Sequence, residues 1–293
     1  MPDARARLSR TDLPDRLARL GFRPDDAEAA RAAAAAALAD DALLRSVDAM
    51  ADGLGAAVGQ FGGDVESPFP AEDDDALGAG VLALLALVVA VDEVQDFHRE
   101  RGISEELSWR SLSDLGQQVW VHRLTFGSFG LHTQGWLRTA WSGALYWLGR
   151  LQFNLQQTDG SWVISTHIPR TGPLTPESVD ASFAAATAFF ADRFPDFRAG
   201  TFWCSSWLLD PQLSEVLPST SNMARFQSRW RLEGAPVESD KDALFFTFAR
   251  RGEIDLTTLP RETTLQRAII DRLQAGGHWY SCRGTHPLTE GIR

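Results

Sequence analysis

The segments Leu151 to Gln156 and Trp162 to Ile168 alternate apolar and polar residues and flank the dipeptide Asp159-Gly160. A period of two marks a strand with one face buried. Asp-Gly supplies the positive φ values that a two-residue hairpin turn needs. The chain then passes through His167-Ile168 and a Pro/Gly loop into Thr175-Pro176-Glu177. That tripeptide is a strong helix start, with threonine at the N-cap, proline at the first position and an acid in the first turn. The stretch from Leu145 to Leu174 therefore predicts a hairpin that opens through a loop into a capped helix, a common place for a ligand site.

Downstream, Val179, Phe183, Ala186, Phe190 and Phe194 recur at helical spacing until Pro195. Gly200–Leu209 (GTFWCSSWLL) predicts an aromatic-rich strand. Short helices follow from Pro211 to Pro218, with Leu213, Val216 and Leu217, and from Ser221 to Trp230. Trp230–Leu232 and Leu244–Ala249 (LFFTFA) predict two more strands, joined by the acidic loop Glu238 to Asp242. Thr263 and Gln266 form a capping box for a helix with Leu265, Ile269 and Leu273 on one face, closed by Gly276. The segment after Gly284 reads as a loose tail. Strand, strand, helix, strand, helix, strand, strand over residues 150–250 implies a mixed sheet with helices on both faces.

The preceding part of the chain reads as helices throughout. Thr11-Asp12 caps a short helix with Leu13, Leu17 and Leu20 on one face, ending at Gly21. Asp25-Asp26 open an alanine-rich helix, where acids suit the positive end of its dipole. Leu43, Leu44, Val47 and Met50 form a third stripe before Gly53. Gly62 to Asp75, with Pro68, Pro70 and an acidic run, reads as a mobile loop. Val81–Val91 (VLALLALVVAV) is far shorter than the ~20 residues a membrane span needs. It is expected to be the buried centre of a helix from Asp75 to Arg99, closed near Gly102, with Ser104 and Ser113 capping the next two. After Val121, tryptophan, phenylalanine and glycine become frequent. An all-α domain over 1–115 and a mixed α/β domain over 116–293 follow.

A 44% apolar and 23% charged composition over 293 residues is that of a soluble globular protein. A net charge of −11 disfavours nucleic acid and anionic membranes as partners. Lys241 is the only lysine, which argues against lysine catalysis, and Cys204 and Cys282 build no metal or disulfide framework. The N-terminus lacks the apolar core of a signal peptide. A cytoplasmic protein with free thiols is expected.

The stretches LGRLQF at 148–153, HIPRTGPLTPESVDASF at 167–183, CSSWLL at 204–209, SNMARFQ at 221–227 and LPRETTLQRAI at 259–269 span most of residues 112–275. In that order they resemble the GNAT-like C-terminal acyltransferase domain, found behind an all-helical N-acyltransferase N-terminal domain in actinobacterial proteins. The resemblance implies a GNAT fold and acyl-CoA as co-substrate, with an acyl group moved to an amine or hydroxyl of a small-molecule acceptor. It implies no metal, and a homodimer is compatible with it. One departure stands out. Ordinary GNAT enzymes hold the CoA pyrophosphate with an Arg/Gln-x-x-Gly-x-Gly/Ala loop, whereas residues 168–175 here read IPRTGPLT. Prolines lack the N–H that cradles phosphate, and Glu177 would repel it. Ile168, Arg170 and the amides of Thr171 and Gly172 remain as the cofactor-binding candidates, with Asn222 and Gln227 for the pantetheine amides.

His167, at the end of a strand where GNAT enzymes often place a general base, is expected to accept the acceptor's proton at a pKa near neutrality. Cys204 and Ser206 share one face of the next strand as candidate nucleophiles or hydrogen-bonding groups. The tyrosine that GNAT enzymes often use to protonate the leaving thiolate is replaced by Phe226 and Trp230, so Tyr280 becomes the candidate acid. Two rival classes remain open: a GNAT-like ligand-binding protein without catalysis, and a Ser/Cys hydrolase using His167, which the lack of a Gly-x-Ser-x-Gly elbow disfavours.

Overall fold

The structure is a computed structural model that describes residues 3–62, 67–70 and 76–288. It divides into two compact units, Met1–Trp147 and Leu148–Arg293. Among the described residues, no helix is long and apolar enough to cross a membrane.

In the first unit the described helices are α1 (Ala4–Leu8), α2 (Leu13–Arg19), α3 (Pro24–Leu38), α4 (Asp41–Ala56), α5 (Val81–Val89), α6 (Val91–Glu100), α7 (Glu105–Leu112), α8 (Asp114–Phe126) and α9 (Gln134–Trp141). Helix α5 is buried on all sides, as its unbroken apolar sequence requires. It packs among Leu17, Leu20, Val47, Leu54, Val119 and Trp141. The single helix expected from Asp75 to Arg99 is two helices meeting at Ala90, and its expected first residue and most of the Gly62–Asp75 loop lie outside the described residues. Ser104 accepts from the Leu107 amide at 3.2 Å. Ser113 instead turns its hydroxyl back to the Arg110 carbonyl. Asp26 does more than face a dipole: it is 1% exposed and receives the Arg123 guanidinium at 2.6 Å. Leu115, Val119, Leu137, Ala140 and Trp141 all join the helical core. The unit therefore extends to Trp147 rather than ending near residue 115, because the aromatic enrichment reflects bulkier packing within one unit.

The sheet comprises β1 (Leu145–Leu148), β2 (Leu151–Thr158), β3 (Ser161–His167), β4 (Thr201–Ser206), β5 (Arg231–Glu238) and β6 (Tyr280–Pro287), in the order β1-β2-β3-β4-β6-β5. It is mixed: β3 and β4 are parallel, while β2–β3, β4–β6 and β5–β6 are antiparallel. The helices of this unit are α10 (Pro176–Arg193), α11 (Leu213–Val216), α12 (Asn222–Gln227), α13 (Asp240–Phe248) and α14 (Thr264–Gln274).

The hairpin closes as expected, with Asp159 at φ 50° and Gly160 at φ 76° between Thr158 and its partner Ser161. Thr175 caps α10 through the Ser178 amide, and both bonds of the Thr263/Gln266 box form. Two segments differ from expectation. Leu244–Ala249 lies in helix α13 and its C-cap rather than in a strand, with Ala243, Leu244, Phe245 and Phe248 buried. A short aromatic run carries no period of its own, and Asp240 and Asp242 in the first turn suit the helix dipole. Strand β5 instead runs on to Glu238, through an irregularity between Glu233 and Val237 that contains Gly234 and Pro236 and protects an exposed edge. The segment after Gly284 is strand β6 as far as Pro287, hydrogen-bonded between β4 and β5. Gly284 is needed there for packing, since a Cβ would stand 2.9 Å from the Trp230 Cβ.

Candidate active site

The parallel strands β3 and β4 pair only at Ile164↔Phe202 and Ser165↔Trp203. Beyond that, Thr166 and His167 go on pairing with β2, while Cys204, Ser205 and Ser206 pair with β6. The carboxyl ends of β3 and β4 therefore part, and such an opening outside parallel strand ends is where open α/β sheets take ligands.

Directly opposed residues in a ladder share a face. Phe153, Phe202 and His286 lie on the face covered by α10, with ring centroids 5.7, 4.7 and 4.8 Å from Phe183. The opposite face carries Gln152 across from His167 and Asn154 across from Ser165. This is a buried polar row: Gln152, Asn154 and Ser165 are 3%, 6% and 1% exposed. His167 Nε2 lies 2.6 Å from Asn154 Oδ1, and Asn154 Nδ2 donates to the Leu155 carbonyl at 2.8 Å. Burial pushes the His167 imidazole down to about 4 rather than near neutrality as expected, so the ring is uncharged at pH 7. Gln152 Nε2 and Ser165 Oγ are buried without a hydrogen-bond partner among the described residues. A buried donor left unpaired costs roughly 1–3 kcal/mol.

The other expected catalytic residues do not join this row. Cys204 lies on the α10 side with Phe202, and burial pushes its thiol up to about 12, so it is no thiolate nucleophile. The Ser206 hydroxyl is occupied by the Leu208 amide at 3.1 Å, where it caps a 3₁₀ turn over Trp207–Leu209. Ser205 Oγ is 3.4 Å from Ser281 Oγ on the His167 side, so alternation places Tyr280 with Cys282 on the other. The Tyr280 amide donates to buried Asp210 at 2.8 Å.

The loop between β3 and α10 is organised by Arg150, which the sequence offers, with Arg138, Arg225, Arg229 and Arg231, only as a candidate phosphate or carboxylate partner and which here binds backbone carbonyls instead. Arg150 sends Nη1 to the Pro169 carbonyl at 3.1 Å, Nη2 to that of Gly172 at 3.0 Å and Nε to that of Pro173 at 3.2 Å. Burial lowers its pKa. The Thr171 amide is spent on the Pro169 carbonyl at 2.8 Å, so it is not a phosphate donor as expected. The amides of Arg170, Gly172 and Leu174 donate to no acceptor among the described residues. Arg170 reaches the Phe246 carbonyl at 3.4 Å, and Ile168 is half-buried where β3 ends. Gln227 donates to the Asp210 carbonyl at 2.6 Å, a tie within the fold rather than a ligand contact, while Asn222 opens α12, half-buried.

Gln152, Asn154 and Ser165 are thus the site residues that sequence reasoning missed. One signal was available: asparagine in mid-strand is disfavoured, so Asn154 within LQFNLQ called for a specific partner.

The strand order, the parted parallel pair and the capped helix define a GNAT-like acyltransferase fold. Residues 145–286 match the family described as GNAT-like C-terminal domain, and residues 11–143 the one described as N-acyltransferase N-terminal domain. Three solved structures are closely similar. An acyltransferase in complex with CoA and 10C-teicoplanin is 34% identical, with a TM-score of 0.89 over 96% of this chain and 88% of that one. One in complex with decanoyl-CoA and teicoplanin is 33% identical, with a TM-score of 0.88 over 96% and 88%. A tryptophan-to-alanine mutant in complex with octanoyl-CoA is 34% identical, with a TM-score of 0.88 over 95% and 88%. Comparison with curated proteins gives no match. The chain belongs to the acyltransferase family that joins an N-acyltransferase N-terminal domain to a GNAT-like C-terminal domain.

Proposed function

We propose that the protein transfers the acyl group of an acyl-CoA to an amine or hydroxyl of a small-molecule acceptor by direct attack on the thioester. The observation that carries this reading is an uncharged imidazole, His167, where two parallel strands part, with Cys204 buried as a thiol on the other face. The acceptor's lone pair attacks the thioester carbon and the carbonyl becomes an oxyanion. The C–S bond then breaks and CoA leaves as the thiolate. The acceptor's proton passes to His167 and from there to the departing thiolate or to water.

The Ile168 amide and the orphaned Gln152 Nε2 are the donors proposed for the oxyanion. The amides of Arg170 and Gly172 take the CoA phosphates. The octanoyl and decanoyl ligands of the solved relatives support a medium-chain donor, and teicoplanin supports a large polar acceptor.

Acyl transfer from decanoyl-CoA is measured through release of the CoA thiol in the presence of candidate amines. His167→Ala is expected to lower kcat by about 10²–10⁴-fold with little change in acyl-CoA affinity. Full activity in that variant would remove histidine from the mechanism. Calorimetric binding of decanoyl-CoA without turnover of any acceptor would identify a protein that keeps the fold for ligand binding alone.

A further inference from the structure

We infer that Asn154 is a positioning residue that fixes His167 as the tautomer protonated on Nε2 and so makes Nδ1 the atom that takes the acceptor's proton. The lock is read from hydrogen-bond polarity. A neutral imidazole donates from one nitrogen and accepts at the other. Which nitrogen donates is set here by the group facing Nε2, 2.6 Å away. That group is one end of the Asn154 carboxamide, whose other end lies 2.8 Å from the Leu155 carbonyl oxygen. A carbonyl oxygen only accepts, so the amide nitrogen must face Leu155 and the amide oxygen must face His167. The reverse orientation would press two oxygens together inside the strand, at a side chain only 6% exposed. With an acceptor fixed opposite it, Nε2 carries the proton and the ring's lone pair is on Nδ1.

The choice of an amide rather than a carboxylate has its own consequence. The side chains that share the face of His167 on its own strand and the two flanking it, Gln152, Asn154, Ser165, Trp203 and Ser205, are uncharged, and charged side chains on that face of the sheet, Arg283 and Glu233, stand on β6 and β5. Burial lowers the basicity of the ring. Asn154 therefore orients the imidazole without adding the negative charge that would hold an imidazolium, and a proton taken by Nδ1 is readily passed on.

The tautomer assignment rests on geometry alone. The role of Nδ1 rests on the proposed function, and the two are tested separately. In the full-length protein labelled with ¹⁵N-histidine, His167 is assigned by the signal missing from His167→Gln. Its ring is expected at pH 7 to show a protonated Nε2 and an unprotonated Nδ1. An Nδ1-protonated ring, or an average of both tautomers, would overturn the inference. Asn154→Leu is expected to give tautomer averaging and a kcat at least about tenfold lower, with unchanged circular dichroism.

Asn154→Asp keeps the acceptor and adds charge. It is expected to retain the tautomer and to raise the acid limb of kcat/KM by more than one pH unit, with the KM for acyl-CoA unchanged. A purely structural asparagine would leave the tautomer unchanged in Asn154→Leu and the acid limb unchanged in Asn154→Asp, and either result would overturn the proposal. Tautomer averaging in Asn154→Leu with wild-type kcat would leave the lock standing and remove His167 from the chemistry, which separates the two failures.

Discussion

Arg150 offers a sharp test of the proposal that a loop with two prolines binds the CoA phosphates. Arg150→Met keeps the aliphatic stem and the Arg150 amide bond to Ser182 at 2.8 Å, and it removes the donors to Pro169, Gly172 and Pro173. A hydrogen bond from a charged donor is worth about 1.5–3 kcal/mol when buried. Two of these three lie in exposed surroundings, so solvent reduces each of them to about 0.5 kcal/mol. The third is only part-buried and keeps about 1 kcal/mol, so the sum is near 2 kcal/mol of loop order. If the Arg170 and Gly172 amides reach phosphate only in the clamped form, the acyl-CoA Kd rises about 30-fold. Calorimetry with decanoyl-CoA and with S-decanoyl-pantetheine, which lacks the pyrophosphate, separates the effects. The 30-fold loss is expected for the CoA ester alone. Equal losses for both would reduce Arg150 to a fold residue, and no loss for either would move the phosphate site elsewhere. Arg150→Lys should recover little, because a point charge cannot fork to three carbonyls.

Three further outcomes follow from burial. His98 is 1% exposed and pushed down to about 4, so an unfolded chain takes up a proton below pH 6.5 that the folded one refuses. Stability therefore falls as pH drops from about 6.5 to 4, by about 2 kcal/mol between pH 7 and 5. His98→Gln should lose that much less in urea melts over the same interval, and identical losses would refute the burial argument. Gly116→Ala would put a Cβ 2.0 Å from the Gly21 carbonyl carbon, where both sides are backbone. A loss of at least about 3 kcal/mol is expected, and an unchanged Tm would refute the contact. Iodoacetamide should label Cys204 far more slowly in the native protein at pH 8 than in urea, and rapid native labelling would contradict a thiol held at about 12.

The local features of the chain were legible because their causes are local. The Asp159-Gly160 turn, the Thr175 cap and the Thr263/Gln266 box each depend on residues within a few positions of one another. The Leu244–Ala249 run misled because consecutive aromatics satisfy either period, and only packing with α14, Trp207 and Trp279 selects the helix. At the site, His167 could be placed by its position after the hairpin. Its neighbours could not. Alternation in LQFNLQ says that the two faces of β2 differ, but not that the polar face is buried as well as the apolar one. The clamp that Arg150 makes was equally hidden, since the carbonyls it binds lie 19 to 23 residues away and no spacing rule joins them.

The low basicity of His167 constrains which acceptor the site can use. An alkyl ammonium with a pKa near 10.4 would have to give its proton to a base near 4, at a cost of about 9 kcal/mol. In the proposed mechanism His167 would not strip an ammonium, and an amine acceptor would have to arrive as the free amine. A weakly basic amine, with a pKa near 8, is about a tenth free at pH 7, which costs only about 1.4 kcal/mol. Once its lone pair is committed to the thioester carbon, the nitrogen becomes a far stronger acid, and an imidazole of low basicity suffices to take the proton and release it. The rate at subsaturating acceptor should then rise tenfold per pH unit up to the acceptor's own pKa, move with that pKa when the amine is changed, and show no inflection near 6.5. An inflection near 6.5 that stays in place across acceptors would return His167 to the basicity of an exposed histidine, and the buried polar row could no longer be what tunes it.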